Sequence, residues 1–289
     1  MPEPTTPTRT VPPREQSQPS RVPGGGERAG WVVPFRIVAL LITFAILAVG
    51  AASVVGAFFT RHRVETRTFA EPITRLELTN TVGNLRIRAG APGDAARATL
   101  TRTAALVHPT IATGVSDGTL RISGSCPGWA YGPPILGSCS IDVDVDLPPG
   151  TTVQVRSRTG RIDVQGRLGD VTATTATGDI RVYDAAGDVE LTTTTGNLRV
   201  LRAAAESISA RSRTGTVELT FVRPPGLVRL RTNTGNVTVT VPNDGTAYDV
   251  LTTTGTGNPR VRVPVSSSAS RRIDIVTGTG NIAVQLPAE

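Results

Sequence analysis

From Val153 onward, apolar and polar residues alternate in short runs broken by glycine. Segments starting at Val153, Val171, Val189, Ile208, Val228, Tyr248 and Ile273 each read apolar, x, apolar, x, Ser/Thr, x, Thr, Gly. The glycines are Gly160, Gly178, Gly196, Gly215, Gly235, Gly255 and Gly280, at spacings of 18, 18, 19, 20, 20 and 25. After most of them comes x-apolar-x-apolar, as in Ile162/Val164, Ile180/Val182, Leu198/Val200 and Ile282/Val284. The sixth copy is irregular: Gly257 intrudes and Pro259 takes an apolar slot. A weaker copy lies upstream at Leu76–Ile87, with Gly83 in its turn.

Alternation with a period of two makes each run a strand with one buried face. A strand–glycine–strand unit cannot bury that face alone, whereas successive units stacked on one another can. The pattern therefore predicts an all-β fold: a right-handed parallel β-solenoid of about seven coils of 18–20 residues over residues 151–289. A rolled β-sandwich of hairpins is the competing architecture. Arg97–Leu106, Leu120–Ile122 and Ile141–Leu147 also read as strands. They place a capping region with the first repeat in residues 61–150, because a bare solenoid end exposes core and unpaired backbone.

A second pattern lies upstream. Ile37 to Phe59 carries no charge, and at about 1.5 Å per residue it is long enough for a bilayer core of about 30 Å. One transmembrane helix is expected within residues 31–60, with Trp31 at the interface. Cleavage at the small residues Ala48–Ser53 is the alternative. The Pro-, Thr- and Arg-rich residues 1–30 are expected to form a disordered cytoplasmic tail. Arginine counts (Arg21, Arg28 and Arg36 before the span; Arg61, Arg63, Arg67 and Arg75 after it) slightly favour the opposite orientation. The cysteines and the solenoid outweigh them and place the C-terminal domain outside the cell membrane.

Cys126 and Cys139 share one loop-like stretch. In an anchored chain they read as a disulfide formed in an oxidising compartment, with two free thiols as the alternative. Closing such a loop stabilises by roughly 3 kcal/mol in the chain-entropy model. Two cysteines without a nearby histidine do not make a metal site. The net charge of +7 comes from 30 basic residues, all arginine, with signs interleaved along the strands. That is a solvated surface and no nucleic-acid footprint.

The strand "DVDVDLPPGTTVQVRSRTGRIDVQG" and the recurring units "TATGDIRV" and "TTTGNLRV" resemble a bacterial putative-adhesin domain family of unknown function, found in envelope proteins. The resemblance covers residues 64–286. It implies an adhesin-like or stress-sensing role in the envelope and brings no catalytic residue or cofactor.

The chemistry in the chain agrees. His62 and His108 are the only histidines, so no nucleophile–base arrangement can be built. Asp170, Asp179 and Asp188 follow corner glycines, where aspartate serves turns. A polysaccharide-active enzyme is thus the weaker reading. Paired threonines such as Thr175/Thr177 and Thr193/Thr195 share the inward register, which argues for an internal ladder against an ice-binding face. Arg181 and Arg199 occupy one outward position in adjacent coils, and Arg156, Arg211, Arg229 and Arg231 lie across the coil. These could meet an anionic envelope polymer. Trp129 and Tyr131, between the cysteines, could anchor a protein partner. The expected module is a non-catalytic, membrane-anchored, extracytoplasmic binder without cofactors. A self-associating structural element, joined through the edge of the last coil at Ile273–Leu286, is the alternative.

Overall fold

The computed structural model describes residues 37–48, 50, 61–104, 108–127 and 139–287, in two compact units, residues 1–51 and 52–289. In the first unit residues 37–48 are helical, about 18 Å of helix. Its large apolar side chains, from Ile37 through Phe44 to Leu47, are all exposed. Thr43 Oγ1 donates to the Ala39 carbonyl at 2.9 Å, a bond back to the preceding turn. Among the described residues no helix is long and apolar enough to cross a membrane. The expected span continues through residues 49 and 51–59, and these lie outside the described residues, as do Trp31 and the tail.

The second unit is all β. It begins with β1 (Arg61–Phe69), β2 (Arg75–Val82), β3 (Leu85–Ala89), β4 (Ala96–Ala104), β5 (Thr110–Ser116), β6 (Thr119–Ser125) and β7 (Cys139–Leu147). The repeats follow as strand pairs. They are β8 (Thr152–Thr159) with β9 (Ile162–Gln165), β10 (Val171–Thr177) with β11 (Ile180–Tyr183), and β12 (Val189–Thr195) with β13 (Leu198–Ala203). Next come β14 (Ser207–Thr214) with β15 (Val217–Phe221), and β16 (Leu227–Thr234) with β17 (Val237–Thr240). The last are β18 (Asp249–Thr256) with β19 (Pro259–Arg262), and β20 (Arg272–Thr279) with β21 (Ile282–Gln285). β1 and β5 had no counterpart in the sequence reading. The burial of β1 shows no clean alternation, and in β5 every second residue is only half-buried.

Each glycine-cornered unit gives its first strand to a 10-stranded sheet, ordered β18-β20-β16-β14-β12-β10-β8-β2-β6-β5. Its second strand joins an 11-stranded sheet, ordered β1-β4-β7-β3-β9-β11-β13-β15-β17-β21-β19. The repeat strands pair in parallel and in register, so like residues stack on like. Val153, Val171, Val189, Ile208, Val228 and Ile273 form one buried column. Ile162, Ile180, Leu198, Val217, Val237 and Ile282 form the facing one. Each such side chain is worth roughly 1.5–3 kcal/mol on burial.

The corners explain the glycines. Gly196 has φ +151°, and a Cβ there would overlap the Gly178 carbonyl of the neighbouring unit. Stacking at this closeness excludes every other residue.

Two expectations about order need correction. The units do not stack strictly in sequence: β20/β21, last in the chain, lies between β16/β17 and β18/β19. The sixth copy is therefore the terminal unit, and the edge anticipated at Ile273–Leu286 is interior. Its irregularity now has a cause. Thr252 and Pro259 stand in register with Ile275 and Ile282, where only one side has a neighbour, and Pro259, lacking an N–H, sits on an edge strand. Its corner is Gly257 (φ +141°), packed against Gly280, and Gly255 lies within β18. Tyr248 precedes that strand, held by an isolated bridge to Val265.

At the opposite end β2/β3 stacks directly on β8/β9. Antiparallel β1, β4 and β7 extend one sheet, and β6 with antiparallel β5 extends the other. The Cys126–Cys139 disulfide joins the end of β6 to the start of β7 across the two sheets, with Cα atoms 6.0 Å apart.

Candidate binding faces

The interior offers no room for chemistry. Below the apolar columns runs a ladder of hydroxyls: Ser157, Thr175, Thr193, Ser212, Thr232 and Thr277 are all buried. Thr193 Oγ1 donates to the Gly178 carbonyl, Ser212 Oγ to Gly196 and Thr277 Oγ1 to Gly235, each at 3.3 Å. These bonds tie β12, β14 and β20 to the glycine corner of a neighbouring unit. In the terminal unit Thr254 takes the register of Thr277; in the other pairs the inward assignment holds for the first threonine only. The second is exposed at the corner, giving an outer row through Thr159, Thr177, Thr195, Thr214, Thr234, Thr279 and Thr256. Strict alternation fails there because the residue between the two drops out of the pairing register.

The corner carboxylates also serve the stack. Asp170 Oδ1 accepts the Asp188 N–H at 2.9 Å, and Asp188 Oδ1 accepts that of Ser207 at 3.2 Å. Asp179 Oδ1 accepts the Asn197 N–H, and Asn197 Oδ1 that of Thr216, both at 2.9 Å. Each group links one unit to the next, as turn residues can. His62 Nδ1 lies 3.1 Å from Thr103 Oγ1. Among the described residues no cluster of three or more His, Cys, Asp or Glu could hold a metal ion.

What varies lies outside. On the 11-stranded sheet one outward row reads Asp144, Arg86, Asp163, Arg181, Arg199, Glu218. Arg181 and Arg199 are neighbours, as their spacing implied, yet both are compensated. Arg199 Nε donates to Glu218 Oε2 at 3.1 Å, and Arg181 Nη2 is 3.9 Å from Asp179 Oδ2. Arg86 meets Asp144 at 3.0 Å and Arg88 meets Asp146 at 2.9 Å. The hydrogen bond that Arg88 Nε donates to Asp146 Oδ1 raises the Arg88 pKa above its ordinary value. This face is charge-compensated, with each of these arginines set against a carboxylate.

The other outer face is unbalanced. On adjacent β14 and β16 stand Arg211, Arg213, Arg229 and Arg231. Arg211 reaches Glu190 at 3.2 Å and Arg231 reaches Asp274 at 3.5 Å. Arg213 and Arg229 have no ion-pair partner among the described residues. A shallow groove of about 690 Å³ crosses these strands, lined by Arg211, Arg213, Arg231, Thr192, Thr194 and Asn233 among others. The sequence pattern did not single out Arg213, which lies between Ser212 and Thr214 just before the corner, outside the alternating strand positions. Trp129 and Tyr131 lie outside the described residues.

The sequence profile of the Toastrack DUF4097 family matches residues 73–255 and again 151–285. The chain belongs to that family. The two overlapping matches cover the whole parallel stack of this Toastrack protein. Among solved structures it is similar to a "putative adhesin" of Bacteroides fragilis, at 14% identity and a TM-score of 0.49, over 77% of this chain and 97% of that one. A "putative cell adhesion protein" of Clostridium sporogenes is 13% identical with a TM-score of 0.41, over 78% and 100%. A "putative adhesin" of Parabacteroides distasonis is 12% identical with a TM-score of 0.43, over 77% and 97%. No curated protein sequence matches the chain.

Proposed function

We propose that this Toastrack protein is a non-catalytic, adhesin-like module, held outside the cell membrane by a single N-terminal span and binding envelope components through its outer side-chain rows. The observation that carries the reading is the in-register stack itself. Its interior is filled by apolar columns and a hydroxyl ladder, so selectable chemistry is confined to the faces and ends. We read the stack as a right-handed solenoid, since crossovers between parallel strands of one sheet wind that way.

Two features support the placement. The Cys126–Cys139 disulfide suits an oxidising compartment. The uncharged run from Ile37 to Phe59, whose described part is a helix with exposed apolar side chains, suits a lipid environment. The segment between the cysteines, with Trp129 and Tyr131, is proposed as a partner contact alongside the Arg181/Arg199 row.

Thiol labelling of intact cells with an impermeant reagent tests the placement. Labelling that appears only after reductant, without permeabilisation, is the expected result. Free thiols that label only in permeabilised cells contradict it.

End-to-end self-association is the second reading. At the β18/β19 end both sheets present an open edge, and Leu251, Val261 and Val265 are 48%, 38% and 57% exposed. Sedimentation of the detergent-solubilised chain across a concentration series separates the two. Concentration-dependent mass favours assembly, and a constant monomer favours the binding module.

A further inference from the structure

The two outer faces differ in charge compensation, and the difference singles out one place. We propose that the groove across β12, β14, β16 and β20 is a binding site for a linear polyanionic glycan bearing repeated carboxylate or phosphate groups. This deepens the envelope-binding reading and rests on it.

Three features converge. First, the groove crosses four consecutive parallel strands of one sheet, three spacings or roughly 14 Å. A trough running across strands matches an extended chain better than a compact ligand. Second, Arg211, Arg213 and Arg231 line it, and unpaired Arg229 adjoins Arg231 two residues back on β16. The fork of a guanidinium suits bidentate contact with carboxylate or phosphate. Glu190 and Asp274 engage one arginine each. They orient Arg211 and Arg231, and leave the patch net positive. Third, Thr192 and Thr194 flank the cations on neighbouring β12, and Asn233 follows Arg231 on β16. Hydroxyl and amide groups there can hydrogen-bond sugar hydroxyls, and no aromatic side chain lines the groove to stack a nucleobase.

Register makes the site. Arg211 and Arg231 are direct cross-strand partners, and Thr192 and Val276 continue the same row. On the opposite sheet the equivalent row holds three arginines and three carboxylates, and Arg86, Arg181 and Arg199 each have an ion-pair partner, which weakens the field. Gly278 on β20 lines one end of the groove.

The test uses the full chain in zwitterionic detergent, with polygalacturonate and poly(glycerol phosphate) as probes, neutral dextran as control and phosphatidylglycerol vesicles as the lipid alternative. The expected result is binding of either polyanion in about 50 mM salt, lost on raising salt toward 1 M as screening shortens to about 3 Å. The double variant R213A/R231A is expected to weaken binding about tenfold, and R181A/R199A less than about twofold. Equal loss in both double variants, equal binding of dextran, binding of vesicles without either polymer, or no binding at all each overturns the site. The measurement is made in solution and is independent of cellular placement. Its failure leaves the membrane-display reading standing, and failed labelling on cells leaves this site standing.

Discussion

At the end of the stack holding β1 and β5, antiparallel strands cover the last parallel unit and a disulfide ties the two sheets together. At the end holding β18 and β19, no further strand follows among the described residues: the final unit has the same glycine corner and the same register as its neighbours. The first end is closed by added structure, the second by a change of residues within a repeat. Thr252 and Pro259 occupy slots where the interior unit β20/β21 has Ile275 and Ile282, both buried. A repeat that must face solvent on one side gains little from large apolar groups, and an edge proline discourages further pairing. A degenerate copy in a repeat array can thus mark its physical end even when it is not last in the chain.

The largest expected effect tests what both ends share. Gly196→Ala places a methyl group against the Gly178 carbonyl at positive φ. It should cost about 4 kcal/mol or prevent folding, read by denaturant titration. Full stability in this variant would remove the premise that the units stack corner on corner.

The next two effects separate the ends. Ile275→Ala, in the interior unit, should cost about 3 kcal/mol, whereas Val261→Ala, at 38% exposure in the terminal unit, should cost less than about 1 kcal/mol. Similar losses would mean that β18/β19 is covered in solution. Replacing both cysteines by serine should lower stability by roughly 3 kcal/mol, with hydrogen exchange rising first in β5, β6 and β7. Exchange that rises instead at β18 and β19 would break the assignment of that bond to the capped end.

The smallest effect concerns Tyr248, near the open end. Its hydroxyl is buried without a hydrogen-bond partner, and desolvation raises its pKa above the ordinary value, with Asp244 adding to the rise. The protonated form is favoured in the fold, so the related stability is complete below the unfolded pKa of about 10 and is lost as pH climbs through the folded value. Tyr248→Phe should flatten that alkaline decline and change stability at neutral pH by no more than about 1 kcal/mol. Melting curves between pH 8 and 11 check both, and an unchanged alkaline slope would place the sensitivity elsewhere.

Much of this was legible in the chain. Alternation placed the strand pairs from β8 to β17 and from β20 to β21, because period two and an obligatory glycine leave a local imprint. The inward first threonine of most triplets was legible for the same reason, and the cysteine pair from its place in one short stretch of the chain. The exposed second threonine was not, since a break in register at one residue leaves no trace in composition. The imbalance of the outer faces was half visible. Arg211, Arg229 and Arg231 could be counted, but whether each meets a carboxylate depends on which unit lies beside it. Arg181 and Arg199 share one outward row in the sequence, but their ion pairs with Asp179 and Glu218 are fixed only once the units are stacked.

By itself, the amino-acid sequence determined the unit: two short strands, a corner that only glycine fits, and a buried face needing neighbours. The order of the units was decided in three dimensions. Copies with the same apolar pattern can all pair in the same register, so local pattern cannot rank them. What ranks them is whether a given unit is covered on one side or two, and that quantity exists only once the strands have assembled.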